Sequence, residues 1–238
     1  MQDSYVGDIG DYGKYGLLRA VCAQGLSLSV NWYRVAPKDK GLQDDGKYIQ
    51  YLSNPIKYRE YDPALFDALH HIVMIEEDRR IERIEQAQLF PAQFYAELVG
   101  KDRVGWHRKA LEQTRDTDTI FLDPDNGLET QSMFCRGKAT EKHVKWTELC
   151  DYYTRGQNVI LYQHRPQMTK KEVCIEKVMQ FQKKGLIADG VLLLEFPKYT
   201  NRYYFIFYHK GYEEKLEAVC AFMAKQWGKD NFCKWTKL

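Results

Sequence analysis

The sequence predicts an α/β fold: a mostly parallel, doubly wound sheet closed by a C-terminal antiparallel hairpin. Three observations predict it. Strand-like and helix-like patterns alternate along the 238 residues. The runs "TIFLD" and "NVILYQ", 119–123 and 158–163, are short and almost continuously apolar, as suits central parallel strands covered on both faces. Near the end, "GVLLLEF" and "RYYFIFYHK" form two strand-like runs separated by "PKYTNR". No repeat, low-complexity tract or Pro/Gly linker interrupts the chain. One domain over 1–238 is expected, with an insertion between 36 and 60.

Each element has its own signal. In "GDIGDYGKYGLLRAVCAQG", Leu17, Leu18, Val21 and Cys22 recur at helical spacing, and Gly25 suits the helix end. "LSLSVNWYRV" alternates as a strand and opens into the polar loop "APKDKGLQDDGKY". "DPALFDALHHIV" starts a helix with Asp62 as N-cap and Pro63 at the first helical position. Residues 79–90, 102–114 and 142–156 read as further helices, the last closed by Gly156. In the helix from 169 to 185, Thr169 and Glu172 have capping-box spacing. A closing helix covers 213–228.

Composition sets bounds on function. Lys and Arg number 35, Asp and Glu 33, for a net charge of +2, so any nucleic-acid contact must rest on local positive charge. The six cysteines have no CxxC pair or zinc-finger spacing and read as core thiols. The first residues, "MQDSYVGDIGD", carry no apolar leader, and no apolar run approaches the ~18 residues of a bilayer span. A reducing, cytoplasmic setting and no membrane partner are expected.

Ligands of open α/β sheets bind beyond the carboxyl ends of the strands. Three such ends are rich in polar groups. The run 118–123 delivers Asp123 into the turn Pro124-Asp125-Asn126. "YQHRP" ends the second strand with Gln163, His164 and Arg165. The loop after the first strand carries Asp44, Asp45 and Lys47. Asp-Pro-Asp-Asn-Gly is also ordinary turn chemistry. A buried strand ending in a carboxylate nevertheless needs a partner for that charge.

In "VGDIGDYGKYG", glycine recurs at 7, 10, 13 and 16. Two readings stay open: a backbone nest for an anion assisted by Lys14, or a segment packed closely on the sheet with Asp11 as helix cap. Walker A spacing fails. Asp8, Asp11, Asp123 and Asp125 are candidate ligands for Mg²⁺, with His164 as general base for phosphodiester hydrolysis. No histidine pair has zinc spacing. "PKYTNRYYFIFYHK" sets Lys198, Arg202 and Lys210 among tyrosines, as a nucleic-acid surface would, but an aromatic strand covering both faces of a sheet is the simpler reading.

The strand "TIFLD" followed by Pro124 resembles the fourth strand and [DN]PP[YF] turn of S-adenosylmethionine-dependent methyltransferases. The late hairpin resembles the antiparallel pair that ends their fold. Asp123 and Pro124 match the motif, while Asp125 replaces its second proline and Asn126 its aromatic. The resemblance implies a methyltransferase-like fold acting on a nucleic acid or nucleotide. It implies a reaction turn at Asp123, Asp125 and Asn126, and S-adenosylmethionine near Asn31, Asp45 and Gly46. Substrate would be held by Lys14, Lys47, Gln163 and Arg165. The motifs GDIGD and DPDNG also resemble an uncharacterised bacterial family. A Mg²⁺-dependent phosphodiesterase or nuclease, and a non-catalytic nucleotide- or protein-binding module, are the alternatives.

Overall fold

A computed structural model describes residues 1–36, 48–166, 168–197 and 201–238. The first half holds α1 (Ile9–Ala23), β1 (Leu28–Asn31), α2 (Pro55–Tyr58), α3 (Pro63–His70), α4 (Ile81–Gln86), β2 (Gln93–Tyr95) and α5 (Arg103–Gln113). The middle holds β3 (Thr119–Leu122), β4 (Gly127–Leu128), α6 (Gln131–Arg136), β5 (His143–Val144), α7 (Trp146–Thr154) and β6 (Asn158–His164). The chain then runs through α8 (Lys171–Phe181), β7 (Gly190–Phe196), β8 (Arg202–Tyr208), α9 (Glu213–Trp227) and β9 (Lys234–Lys237).

Seven strands form one sheet in the order β2-β1-β3-β6-β8-β7-β9. The first four are parallel neighbours, and β8 and β9 run against the other five. The α/β class and the late hairpin are therefore as expected. Alternating residues of each strand feed opposite cores. Val30, Phe121, Ile160, Leu192 and Leu194 pack with α1, α3, α4 and α9. Ile120, Leu122, Val159, Leu161 and Leu193 pack with α5, α7 and α8 on the other face. Two buried faces explain why the central strands are apolar without a break.

Several local readings change. Asp8, not Asp11, caps α1: its carboxylate accepts the Asp11 N–H at 2.8 Å. The helix expected at 142–156 begins only at Trp146, because His143–Val144 pairs with β4 as a second small sheet. The helix expected from Thr169 begins at Lys171 without a side-chain cap, since the Thr169 N–H and carbonyl are taken by Pro166 and Arg165. The helix read at 79–90 is confined to α4. Strands β2 and β9 have too few core residues to show a period: β2 buries only Tyr95, and β9 buries none fully. All six cysteines are free thiols. Among the described residues, no helix is long and apolar enough to cross a membrane.

Candidate functional site

β1 and β3 end in register, Asn31 beside Leu122, while the chain leaves β1 toward β2 on one side and later returns to β3 on the other. The two ends flank a topological switch point. β6 continues beyond its parallel partner through Tyr162, Gln163 and His164, which pair with Tyr204, Tyr203 and Arg202 of β8. A cleft of about 260 Å³ opens at these ends, lined by Asp8, Asp11, Lys14, Asp123, Asp125, Asn126, Lys142, Tyr162, His164 and Arg202 among others. Segments around positions 8, 123 and 164 thus meet at one mouth. Asp44, Asp45, Gly46 and Lys47 lie outside the described residues, as does Lys198.

The floor of the cleft is a buried charge network. Lys14 Nζ donates to Asp11 Oδ1 at 2.7 Å and to Asp123 Oδ2 at 2.8 Å. Burial alone would lower the ammonium pKa, but the two carboxylates hold it well above its ordinary value. Burial pushes the Asp123 carboxyl up, against the pull of Lys14. Lys14 faces two carboxylates and stays charged. Asp11 Oδ2 accepts from the Gly7 N–H and the Tyr15 hydroxyl. Arg202 donates to Asp8 Oδ2 at 2.8 Å. Burial raises the Asp8 pKa and Arg202 opposes it.

This arrangement decides the glycine question. A Cβ on Gly10 would lie 1.8 Å from Arg202 Cζ; those on Gly13 and Gly16 would run into the rings of Phe196 and Trp227. The glycines let α1 lie close on β8, β7 and α9. The Gly7 and Asp11 N–H groups and the Lys14 ammonium are taken by the protein's own aspartates, and the Asp8 and Ile9 N–H groups by backbone carbonyls, so close packing is what the glycines serve, with Asp8 in place of Asp11 as the cap.

The turn is held from both sides. The Asp123 N–H donates to Asn31 O and the Asn126 N–H to Lys142 O. Asp125 Oδ2 accepts from Gln2 Nε2 at 2.7 Å and pairs with Lys142 at 3.0 Å, and its Oδ1 stands 3.0 Å from the Met1 nitrogen. Burial would raise the Asp125 pKa; the Met1 nitrogen, Gln2 and Lys142 prevail and lower it. Gln163 donates to Asn126 O at 3.0 Å and accepts from the Leu128 N–H at 2.9 Å. A side chain on Gly127, at φ +98°, would collide with this amide. Gln163, expected to bind substrate, is thus committed to the turn.

Other expectations are displaced. Asn31 is fully buried on the opposite face of the sheet, where it donates to the Tyr152 hydroxyl and accepts from the Tyr33 N–H. Arg165 is absent from the cleft lining and donates to Thr169 O. The four aspartates do not form a metal cage. Each faces a protein cation, and no group of three metal-ligating side chains occurs among the described residues. Arg202, Lys142 and Tyr162 join the site unforeseen as members of this cleft. The spaced glycines signalled a close approach but not which residue approaches, and Lys142 has no signal in its own segment.

His164 is half-buried, and no hydrogen bond engages its ring among the described residues. Burial first, then Arg202 and Arg165, lower its pKa, so the imidazole is neutral at pH 7 and can accept a proton. Burial likewise lowers His107 and His143. A histidine with a depressed folded pKa leaves the folded state with fewer bound protons than the unfolded chain as pH falls. The histidine part of the stability is therefore expected to be full above about pH 6.5 and to decline below it, while the buried carboxyls of Asp8 and Asp123, raised by burial, work in the opposite direction. Comparing the change in urea midpoint from pH 7.5 to 5.5 in the native protein and in His164→Gln isolates the His164 share of that part; an equal change in both contradicts it.

The site is a polar cleft at the switch point of an α/β sheet. No protein-family model matches the chain, and no curated protein matches its sequence. Among solved structures, the crystal structure of protein LPL1258 from Legionella pneumophila str. Philadelphia 1, family model DUF519, is similar at a TM-score of 0.51. The match covers 98% of this chain and 97% of that one at 12% identity. At that identity the likeness concerns the fold alone.

Proposed function

We propose that the chain is an enzyme of methyltransferase-like fold that acts on a nucleotide or nucleic acid in the switch-point cleft. The observation that carries this reading is the turn Asp123–Asn126, clamped at the end of central β3 beside an unpartnered neutral His164. The exposed Asn126 amide offers a donor and an acceptor to a base edge. Arg202 and Lys142, paired with Asp8 and Asp125, are the cations that a phosphate would draw toward itself, and the Tyr162 ring offers a stacking face. His164 would take a proton from the reacting group.

S-adenosylmethionine is the methyl donor this reading implies. The described residues fit it poorly: Asn31 points to the other face, and buried Met1, bonded to the carbonyls of Tyr33 and Asp123, fills the space between the ends of β1 and β3. Because every aspartate in the cleft is already paired, millimolar Mg²⁺ is expected to leave the melting temperature unchanged; a rise of several degrees would favour metal-dependent hydrolysis. The same pairing supports a second reading, a nucleotide-binding module without turnover.

Calorimetry with nucleoside monophosphates, and separately with S-adenosylmethionine, separates these readings. Asn126→Ala is expected to weaken nucleotide binding about tenfold, as loss of one or two hydrogen bonds implies, with the unfolding midpoint unchanged. His164→Gln should retain binding and lower turnover of an oligonucleotide substrate by about 10²-fold or more. Absence of nucleotide binding at millimolar concentration rejects the proposal. Binding with no turnover in the native protein leaves the module.

A further inference from the structure

A second cavity, of about 280 Å³, lies on the far side of the DPDNG turn. Asn126 and His164 line both cavities, so those two side chains stand between them. Their linings differ in chemistry. The first is dominated by charged groups. The second sets apolar Leu128, Val178, Cys174 and Pro166 among polar groups, with buried Glu129 and His143, Thr130, Thr169, the Gln163 amide and exposed Lys177 in its lining. Leu128, Cys174 and Val178 are buried, and burial pushes the Cys174 thiol up to about 11, which leaves it neutral at pH 7.

A pocket that joins a patch of carbon surface to several hydrogen-bonding groups is how proteins hold a flat heteroaromatic ring: ring faces lie on carbon, ring edges meet the polar groups. The first cleft holds the cations Arg202 and Lys142, which a sugar phosphate would draw from Asp8 and Asp125. Each cavity falls just below the roughly 300 Å³ at which pockets for drug-sized ligands begin, so a larger ligand must use both. We infer that the second cavity is a nucleobase subsite and that one nucleotide unit spans both cavities, its base beside Val178 and its phosphate toward Arg202 and Lys142. This rests on the nucleotide reading above and adds the direction in which the ligand lies. The junction, where Asn126 and His164 stand, then faces the ribose and the base edge next to it. Reaction is accordingly directed to that part of the ligand rather than to a distal phosphate.

The test compares each ribonucleoside monophosphate with ribose 5-phosphate by calorimetry in the full chain. The native protein is expected to bind at least one nucleotide tenfold or more tightly than ribose 5-phosphate. Thr169→Trp, which plugs the cavity from a half-exposed position, should reduce that nucleotide to the level of ribose 5-phosphate while leaving ribose 5-phosphate unchanged. Cys174→Met, filling the same cavity from its apolar side, should do likewise if Thr169→Trp disturbs folding; thermal melts identify that case. A nucleotide that binds native protein and both folded variants equally overturns the base subsite while the nucleotide reading stands. Nucleotide and ribose 5-phosphate binding equally in native protein also overturns it. If neither binds, the nucleotide reading itself fails and the subsite falls with it.

Discussion

Lys14→Met is expected to destabilise the fold by about 3–5 kcal/mol, the range for removing one partner of a buried ion pair. The reason is what remains rather than what is lost. Asp11 and Asp123 are both buried, and Lys14 is the cation they share. Methionine approximates the length of lysine, so the cavity term is small and the cost is electrostatic. Adding Asp11→Asn and Asp123→Asn to Lys14→Met should restore a large part of the loss, because the uncompensated charges go with the cation. Urea unfolding of the single and triple variants measures this. A single variant within about 1 kcal/mol of the native protein, the size of an exposed pair, would show that the network is solvated in solution.

Gly10→Ala should cost about 3 kcal/mol, far beyond the ordinary helix preference for alanine, which favours the substitution by ~1 kcal/mol. The added methyl would occupy the position of the Arg202 guanidinium. Arg202 would have to leave Asp8, and Asp8 is itself buried while capping α1. A double-mutant cycle makes the argument specific. In an Arg202→Ala background the collision is absent, and Gly10→Ala should be nearly neutral or stabilising. The coupling is expected at about 2 kcal/mol or more, within the range for residues in contact. Additive effects would mean that Gly10 is required for some reason other than Arg202. Both variants should also impair ligand binding, since the affected groups line the cleft.

The site was legible in part. Asp123, Asp125, Asn126 and His164 are marked by their place at the ends of apolar runs, and the parallel pairing of β3 with β6, which runs on to His164, brings them to one mouth. Asp8, Asp11 and Lys14 were marked by a dense motif, but their role was ambiguous: four aspartates near one mouth suggest a cation from outside, and the protein supplies its own. Nothing in the segment around 202 says that its arginine crosses to α1, nearly two hundred residues earlier. Gln163 and Asn31 show the limit of strand-end reasoning. Successive side chains alternate faces, so Gln163 turns to the β4 side and Asn31 to Tyr152, while His164 remains at the mouth.

Local patterning alone was enough for the α/β class, the long helices, the central strands and the late hairpin, because burial on two faces writes itself into apolar periodicity. Partnership was settled only by three-dimensional packing: which cation neutralises which aspartate, where β2 and β9 join the sheet, and that two cavities share Asn126 and His164. Charge pairing over such separations leaves no period in a chain, since it depends on where whole elements come to rest.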